Sequence, residues 1–334
     1  MSIQRLPHLL AAFCLLSAAQ AATLTVTESP KGALVKIGDQ IFAEYVVTHE
    51  GTNMPYLWPI YGPGQKPMTR AYPMETIEGE QHDHPHHRGL CFGHEDIAGY
   101  DTWAEKATFE EQMKGKNAAK AQERMKHLGS IQHRKFQTLE AKDGTATIVA
   151  LSDYLDGTGK KLLEEKRTMT FSLDGDNRLI DVDIELIASE GPVKAADKKD
   201  AGLSIRVPTS MAVDTKLGGK LVNSDGLTDA DTWAKRAKWC DYHGPVQGEH
   251  LGVAILNHPA SFRFPTYWHS RTYGLFTANP FGLKSLNPKE TDGAYTIEPN
   301  APTKLYHRFV FHKGDEKAAN IEAAWQAYSK IAKP

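Results

Sequence analysis

Polar and apolar positions alternate with a period of two over long stretches of this chain. ATLTVTES (22–29), ALVKIGDQIFAEYVV (33–47), TATIVALSDYLD (145–156), KRTMTFSLDGDNRLIDVDIELIAS (166–189) and LYHRFVFHKG (305–314) all show it. These segments are rich in β-branched and aromatic residues and are punctuated by DG, GD and DGDN turns, so they predict β-strands. A strand points successive side chains to opposite faces, and such alternation gives it one face for a core. No amphipathic helices recur between the strands at the spacing that covers a parallel sheet. The pattern predicts an all-β protein built as a large antiparallel β-sandwich.

Two segments break the pattern. Residues 104–127, AEKATFEEQMKGKNAAKAQERMKH, are rich in Glu, Lys, Ala and Gln and poor in apolar residues. They predict an exposed helical insertion that carries no active-site residue. Near the C-terminus, Asp315 is a candidate N-cap, and Ile321, Trp325, Tyr328 and Ile331 follow at i, i+4, i+7 and i+10. That spacing predicts a C-terminal helix docked through one face. SEGPVKAADKKDAG (189–202) reads as a charged loop. Without a fixed-period repeat or a clean linker, residues 22–334 are expected to form a single domain.

The first 21 residues, MSIQRLPHLLAAFCLLSAAQA, have one arginine, an apolar run from Leu9 to Ala19, and Ala19-Gln20-Ala21 in the A-x-A position. This is the layout of a cleaved signal peptide, and the run is too short to span a bilayer. The mature protein is therefore expected in the periplasm or outside the cell, without transmembrane anchoring. The formal charge is −2, or −3 once Arg5 is removed. With no basic excess to neutralise phosphates, nucleic acid is excluded as a partner. Cys91 and Cys240 remain in the mature chain, and separate buried thiols are expected in preference to a bridge. The absence of a P-loop, a G-x-G-x-x-G and a G-x-S-x-G elbow removes nucleotide cofactors and the serine-hydrolase arrangement from the expectation.

The chemistry concentrates in two stretches. EGEQHDHPHHRGLCFGHED (78–96) contains His82, His84, His86, His87 and His94, with Glu80, Asp83 and Asp96 beside them. Alternate residues of an extended chain share a face, so His82, His84 and His86 can converge, although Pro85 restricts the backbone there. Two or three imidazoles with a carboxylate suit a divalent metal, and His84, His86 and His94 are the candidate ligands for one such ion. Metal-free acid–base or hydrogen-bonding duty for His84, His86, His87, His94 and His269 is equally open, because histidine titrates near neutrality. The second stretch, NHPASFRFPTYWHSRTYGLFTANPFG (257–282), interleaves His258, Arg263, His269, Arg271 and Asn279 with Trp268 and Tyr273. Flat rings beside polar groups are what a sugar site requires. Trp103 and Trp268 are the candidate stacking surfaces. GLSIRVP sets Arg206 among apolar neighbours, where it must find a carboxylate of the protein or of a substrate. Arg88, Arg206 and Arg271 are the candidates for substrate oxygens. Asp101, in YDTWAE, and Trp233, Trp239 and His243, in DTWAKRAKWCDYHG, are weaker signals.

YLWPIYGPGQKPMTRAYPM, DHPHHRGLCFGHEDIAGYDTWAE, GLSIRVP and LNHPASFRFPTYWHSRTYGLFTANPFG occur in this order. Together they resemble a family of exported bacterial proteins of unknown function, often labelled "methane oxygenase PmoA". The resemblance covers roughly residues 25–315. The label is misleading, because the particulate enzyme subunit of that name is a membrane protein and this chain has no apolar run long enough to span. The resemblance implies the sandwich of galactose-mutarotase-like sugar enzymes. It also implies site roles for Arg70, Glu80, Asp83, His84, His86, His87, Arg88, His94, Asp101, Arg206, His258, His269, Arg271 and Asn279. Cys91, where an aromatic is common, and Thr102, where phenylalanine is usual, depart from the pattern. The expected function is an exported carbohydrate-active enzyme that hydrolyses, eliminates or epimerises at a sugar or glycoside. A non-catalytic sugar-binding protein and a metal-dependent oxygenase are the alternatives.

Overall fold

Alternation along the chain is realised as two eight-stranded antiparallel sheets in a computed structural model that describes residues 23–47 and 51–334. The signal peptide expected over residues 1–21 lies outside the described residues. In space, the first sheet runs β1 (Leu24–Ser29), β2 (Gly32–Ile37), β3 (Gln40–Val46), β4 (Tyr56–Ile60), β5 (Leu90–His94), β11 (Ala201–Arg206), β16 (Leu275–Asn279) and β15 (Tyr267–Ser270). The second runs β12 (Lys220–Asn223), β13 (Trp239–Val246), β14 (Glu249–Asn257), β18 (Thr303–Lys313), β9 (Asn177–Ile187), β8 (Lys161–Asp174), β7 (Thr145–Leu155) and β6 (Ser130–Lys142). A short pair, β10 (Val193–Ala195) and β17 (Tyr295–Ile297), completes the strands.

The sheets pack face to face as a β-sandwich around one continuous apolar cluster to which both contribute. Phe42 of β3 meets Phe171 of β8 edge-on at 5.4 Å, and Tyr242 of β13 meets Phe276 of β16 at 5.7 Å. Each such fully buried aromatic contributes about 1.5–3 kcal/mol by leaving water. Cys91 and Cys240 are separate buried thiols, as expected.

The sheets differ in how they meet solvent. β7 and β9 alternate between buried and half-exposed positions along their whole length. β5, β11, β15 and β16 are buried at every position, so both of their faces are covered. Across these four strands Phe92, Leu203, Ala278 and Trp268 pair in one row and belong to the sandwich core. Their neighbours Ser204, Thr277 and His269 pair in the next row and so point to the opposite face. What covers that outer face forms the site.

The insertion is helical, as its composition predicts: α1 (Lys106–Gln112) and α2 (Ala118–Met125) close on a small cluster of Ala104, Phe109 and Ala121. The C-terminal helix α3 (Ile321–Tyr328) buries Ile321 and Tyr328 against Trp239, Leu256 and Val310, on the outer face of the second sheet. Two details differ from expectation. Asp315 caps the turn before the helix, accepting the N–H groups of Lys317 and Ala318, while α3 itself begins after a left-handed Asn320. Ile331 lies beyond the helix and is exposed. Among the described residues no helix is long and apolar enough to cross a membrane.

Candidate functional site

Four segments meet over the outer face of the first sheet: the loop before β5, residues 103–124, the 197–200 loop before β11, and the chain from His269 to Tyr273. They enclose a cavity of about 460 Å³ lined by His84, His86, His87 and His269 together with Trp103, Asp200, Arg271 and Tyr273. Four of the five candidate catalytic histidines are thus brought together.

The histidine loop is held from behind. Arg70, fully buried, donates to Asp83 Oδ1 and to the carbonyls of Tyr72, Gln81 and His84. Arg206 donates to the same Asp83 oxygen at 2.7 Å and to Gln81 Oε1 at 2.8 Å, and its guanidinium lies over the Tyr273 ring. Burial and the charge of Arg70 bring the Arg206 pKa down to about 10. Burial would raise the Asp83 carboxyl, but the hydrogen bond from His84 and the charges of Arg206 and Arg70 outweigh it and hold it well below the usual range. Asp83 is therefore a fixed carboxylate. His84 Nδ1 donates to its other oxygen at 2.7 Å, which leaves His84 Nε2 as the basic nitrogen. His84 adopts φ = 46°, a left-handed backbone that a side chain takes up only when its surroundings impose it, and such residues gather at functional sites.

His87 stacks parallel to His84 with ring centres 4.8 Å apart. Its Nδ1 faces Arg206 Nη1 at 3.3 Å, and since arginine only donates, this nitrogen accepts and Nε2 carries the proton. Burial, with the neighbouring His86 and Arg206, drops its pKa well below the ordinary value. His86 Nδ1 lies 2.8 Å from Thr108 Oγ1 of α1, and burial brings its pKa to about 3. His269 Nδ1 donates to the Lys199 carbonyl at 2.7 Å, and its Nε2 accepts from Arg271 Nε at 3.1 Å. Burial, only partly offset by Asp200, takes its pKa to about 4. With both nitrogens committed, His269 is a positioned wall. Trp103 is near-parallel to it, Trp233 lies edge-on, and the Arg271 guanidinium sits 3.7 Å over the Trp233 ring.

Other expected residues lie outside the cavity wall. His94 does not join His84 and His86: its Nδ1 accepts the Asp96 N–H and its ring packs on Phe281. The ligand set His84, His86 and His94 therefore does not converge. Among the described residues the one group of three such side chains whose ligand atoms all lie within 4.8 Å is Asp241, His243 and Glu316. Arg88 is spent on a two-pronged buried ion pair with Glu105, at 2.7 and 2.9 Å. Arg70 and Arg206 hold Asp83. Trp268 is a core residue donating to the Ala237 carbonyl, and His258 packs beside Tyr306 and Tyr328. Asp101 and Asn279 work one layer back. Asp101 accepts the Trp103 and Ala104 N–H groups and pairs with Arg124, and Asn279 donates to the carbonyls of Lys198 and Lys199.

The insertion corrects the expectation that it carries no site residue, because Thr108, Gln112 and Arg124 form part of the wall. Lys199 and Asp200, in the stretch read as a charged loop, are also lining residues missed from the sequence. Their signal was weak: two charges immediately before a strand that is apolar on one face.

The fold and site define an antiparallel β-sandwich with a histidine-lined cavity on the outer face of one sheet. The chain belongs to DUF6807, a family of unknown function whose model matches residues 33–326. That description names no oxygenase. No curated protein matches it in sequence. Among solved structures it is similar to a galactose mutarotase related enzyme from Lactobacillus acidophilus, at TM-score 0.36 and 10% identity over 87% of this chain and 97% of that one. It is similar to the Slr1438 protein from Synechocystis sp. PCC 6803, at TM-score 0.34 and 11% identity over 94% and 100%. It is also similar to the alpha-galactosidase from Lactobacillus brevis, at TM-score 0.37 and 10% identity over 88% of this chain and 40% of that one.

Proposed function

We propose that the protein is an exported carbohydrate-active enzyme that abstracts a proton from a sugar carbon next to a carboxylate or carbonyl, leading to elimination or epimerisation. The observation that carries this reading is the Asp83–His84 pair at the cavity, with the Nε2-protonated His87 stacked beside it. His84 Nε2 takes the carbon-bound proton, and the C–H electron pair moves onto the carboxylate or carbonyl oxygen. Arg271 and Lys199 place positive charge where that negative charge grows. The enolate then collapses to a C=C bond as the C–O bond breaks, and the departing glycosidic oxygen takes back the proton held on His84 Nε2 while His87 Nε2–H steadies it with a hydrogen bond, which is elimination. Alternatively, solvent protonates the other face of the carbon and His84 Nε2 releases its proton to solvent, which is epimerisation. Trp103 and Tyr273 offer rings to the apolar face of the sugar. Hydrolysis fits less well: the usual glycosidase arrangement uses two carboxylates flanking the bond, and the wall has one, Asp200.

The test is incubation with a panel of uronic-acid glycosides and oxidised sugars in D₂O, followed by proton NMR. Expected is either a vinyl signal or loss of the carbon-bound proton to deuterium, absent with His84→Ala. Release of reducing sugar without exchange would establish hydrolysis instead. Saturable binding with no chemical change would make the protein a sugar-binding module.

A further inference from the structure

A second polar cluster lies on the second sheet. Asp241 and His243 are two apart on β13 and share a face, and both are buried. Glu316 reaches them from the turn between β18 and α3. One ligand atom from each residue lies within 4.8 Å of the other two, and His243 Nε2 stands 3.3 Å from Glu316 Oε2. Two ligands on one tetrahedral zinc, each about 2.1 Å from the ion, are about 3.4 Å apart.

Two atoms of these residues lack a hydrogen bond. Asp241 Oδ1 and His243 Nε2 are buried and make no hydrogen bond. A buried polar atom left this way is costly, and native structures rarely tolerate it without a purpose. The remaining atoms of the same residues are tied down. Asp241 Oδ2 accepts from His312 Nε2 at 2.7 Å, and His243 Nδ1 lies 2.8 Å from His250 Nε2. With the His243 proton on Nδ1 and donated to His250, its Nε2 presents a lone pair. Outer hydrogen bonds of this kind orient metal ligands.

Gly252 supports the arrangement. It pairs with His243 on one side and His312 on the other. A Cβ there would lie 2.3 Å from His312 Cε1 and 2.5 Å from its Nε2. Only a residue without a side chain lets that imidazole lie across β14 to reach Asp241.

We propose that Asp241, His243 and Glu316 form a divalent-metal site of the zinc class that fastens the turn leading into α3 onto β13. One imidazole with two carboxylates suits zinc, whereas magnesium and calcium prefer all-oxygen sets. The site stands apart from the histidine cavity and does not depend on the function proposed for it.

The test uses the purified protein without a histidine tag, stripped with EDTA and titrated with Zn²⁺ by calorimetry. Visible absorption of the Co²⁺ form reports coordination. Expected is one equivalent bound and a Tm raised by several degrees, reversed by EDTA. Affinity should fall at least tenfold in His243→Gln and in Glu316→Gln, and about 10–100-fold in His312→Gln. His84→Ala should bind as the wild type does. Glu316 is partly exposed, so Glu316→Gln keeps the native circular dichroism and remains informative if His243→Gln misfolds. No stoichiometric zinc at micromolar concentration, or binding unchanged in Glu316→Gln, would overturn the proposal.

Discussion

His84 and Arg88 lie four positions apart in one motif, yet their environments assign them different work. The His84 side chain is 43% exposed at the cavity, hydrogen-bonded to Asp83 and stacked on His87. Arg88 is closed behind it, with Nε and Nη2 both on a Glu105 carboxylate that has no exposure at all. Replacing His84 by alanine removes the proposed base while leaving nothing buried without a partner. Turnover on a confirmed substrate should fall about 10²–10⁴-fold, the range for a lost general base, with Tm nearly unchanged. Glu105→Gln has the converse effect, because it strands a buried guanidinium. Such a break costs about 3–5 kcal/mol, to be read as a lower urea midpoint at unchanged slope. The molecules that remain folded should turn over normally. Equal loss of stability in both variants would show that the motif is a structural knot and not a site.

At the scale of elements, the insertion carries function through a very small core. Phe109 is fully buried, beneath the Arg124 guanidinium at 5.2 Å, in a cluster separate from the sandwich core. Phe109→Ala removes about 3–5 kcal/mol of packing from a unit with few other apolar contacts. The expected result is local: amide exchange rises across residues 105–125 while the strands keep their protection, and activity falls as Thr108, Gln112 and Arg124 leave the wall. Exchange rising equally in β7 and β9 would show that the insertion and the sandwich unfold together. The same element shows where sequence reading stops. β7, β8 and β9 were legible because one face meets solvent, and α1 and α2 because their composition favours helix. The histidines of residues 78–96 stood out by density, and three of them, His84, His86 and His87, do share a cavity, which His269 joins from another stretch. That Arg88 would meet Glu105, that Arg70 and Arg206 would share Asp83, and that Lys199 would close the wall were not legible. Each depends on which segments fold over the outer face of the first sheet. Strands covered on both faces lose the alternation that marks inside from outside, so Trp268 and His269, adjacent in sequence, could not be assigned to core and cavity.

The whole molecule carries an unusual load of buried imidazole, and this fixes its response to acid. Burial brings His86, His94 and His307 to about 3 and His269 to about 4, and it pushes His87 well below its ordinary value. In the unfolded chain these groups titrate near 6.5. Between about 6.5 and 4 the unfolded state therefore binds protons that the folded state refuses, and stability falls as pH falls. Each such histidine removes about 1.4 kcal/mol per pH unit in that window. Five together have an upper limit of about 7 kcal/mol per pH unit, against a total stability of about 5–15 kcal/mol for an ordinary domain. His312 acts in the opposite sense: despite its burial, Asp241 raises its pKa, so its contribution is present at low pH and fades as pH rises through the folded value. One such group does not balance five. Asp83 adds to the acid loss only at lower pH, where the unfolded carboxyl binds a proton that the folded one still refuses. Thermal melts from pH 7.5 to 4.5 should show Tm constant above about 7, falling steeply below 6.5, with unfolding at room temperature before pH 4. His307→Asn, in a ring remote from the cavity, should shallow the slope by about one proton. A Tm flat from 6.5 to 4.5 would mean that these rings accept protons in the folded state, and the neutral, Nε2-protonated His87 on which the proposed chemistry depends would have to be given up.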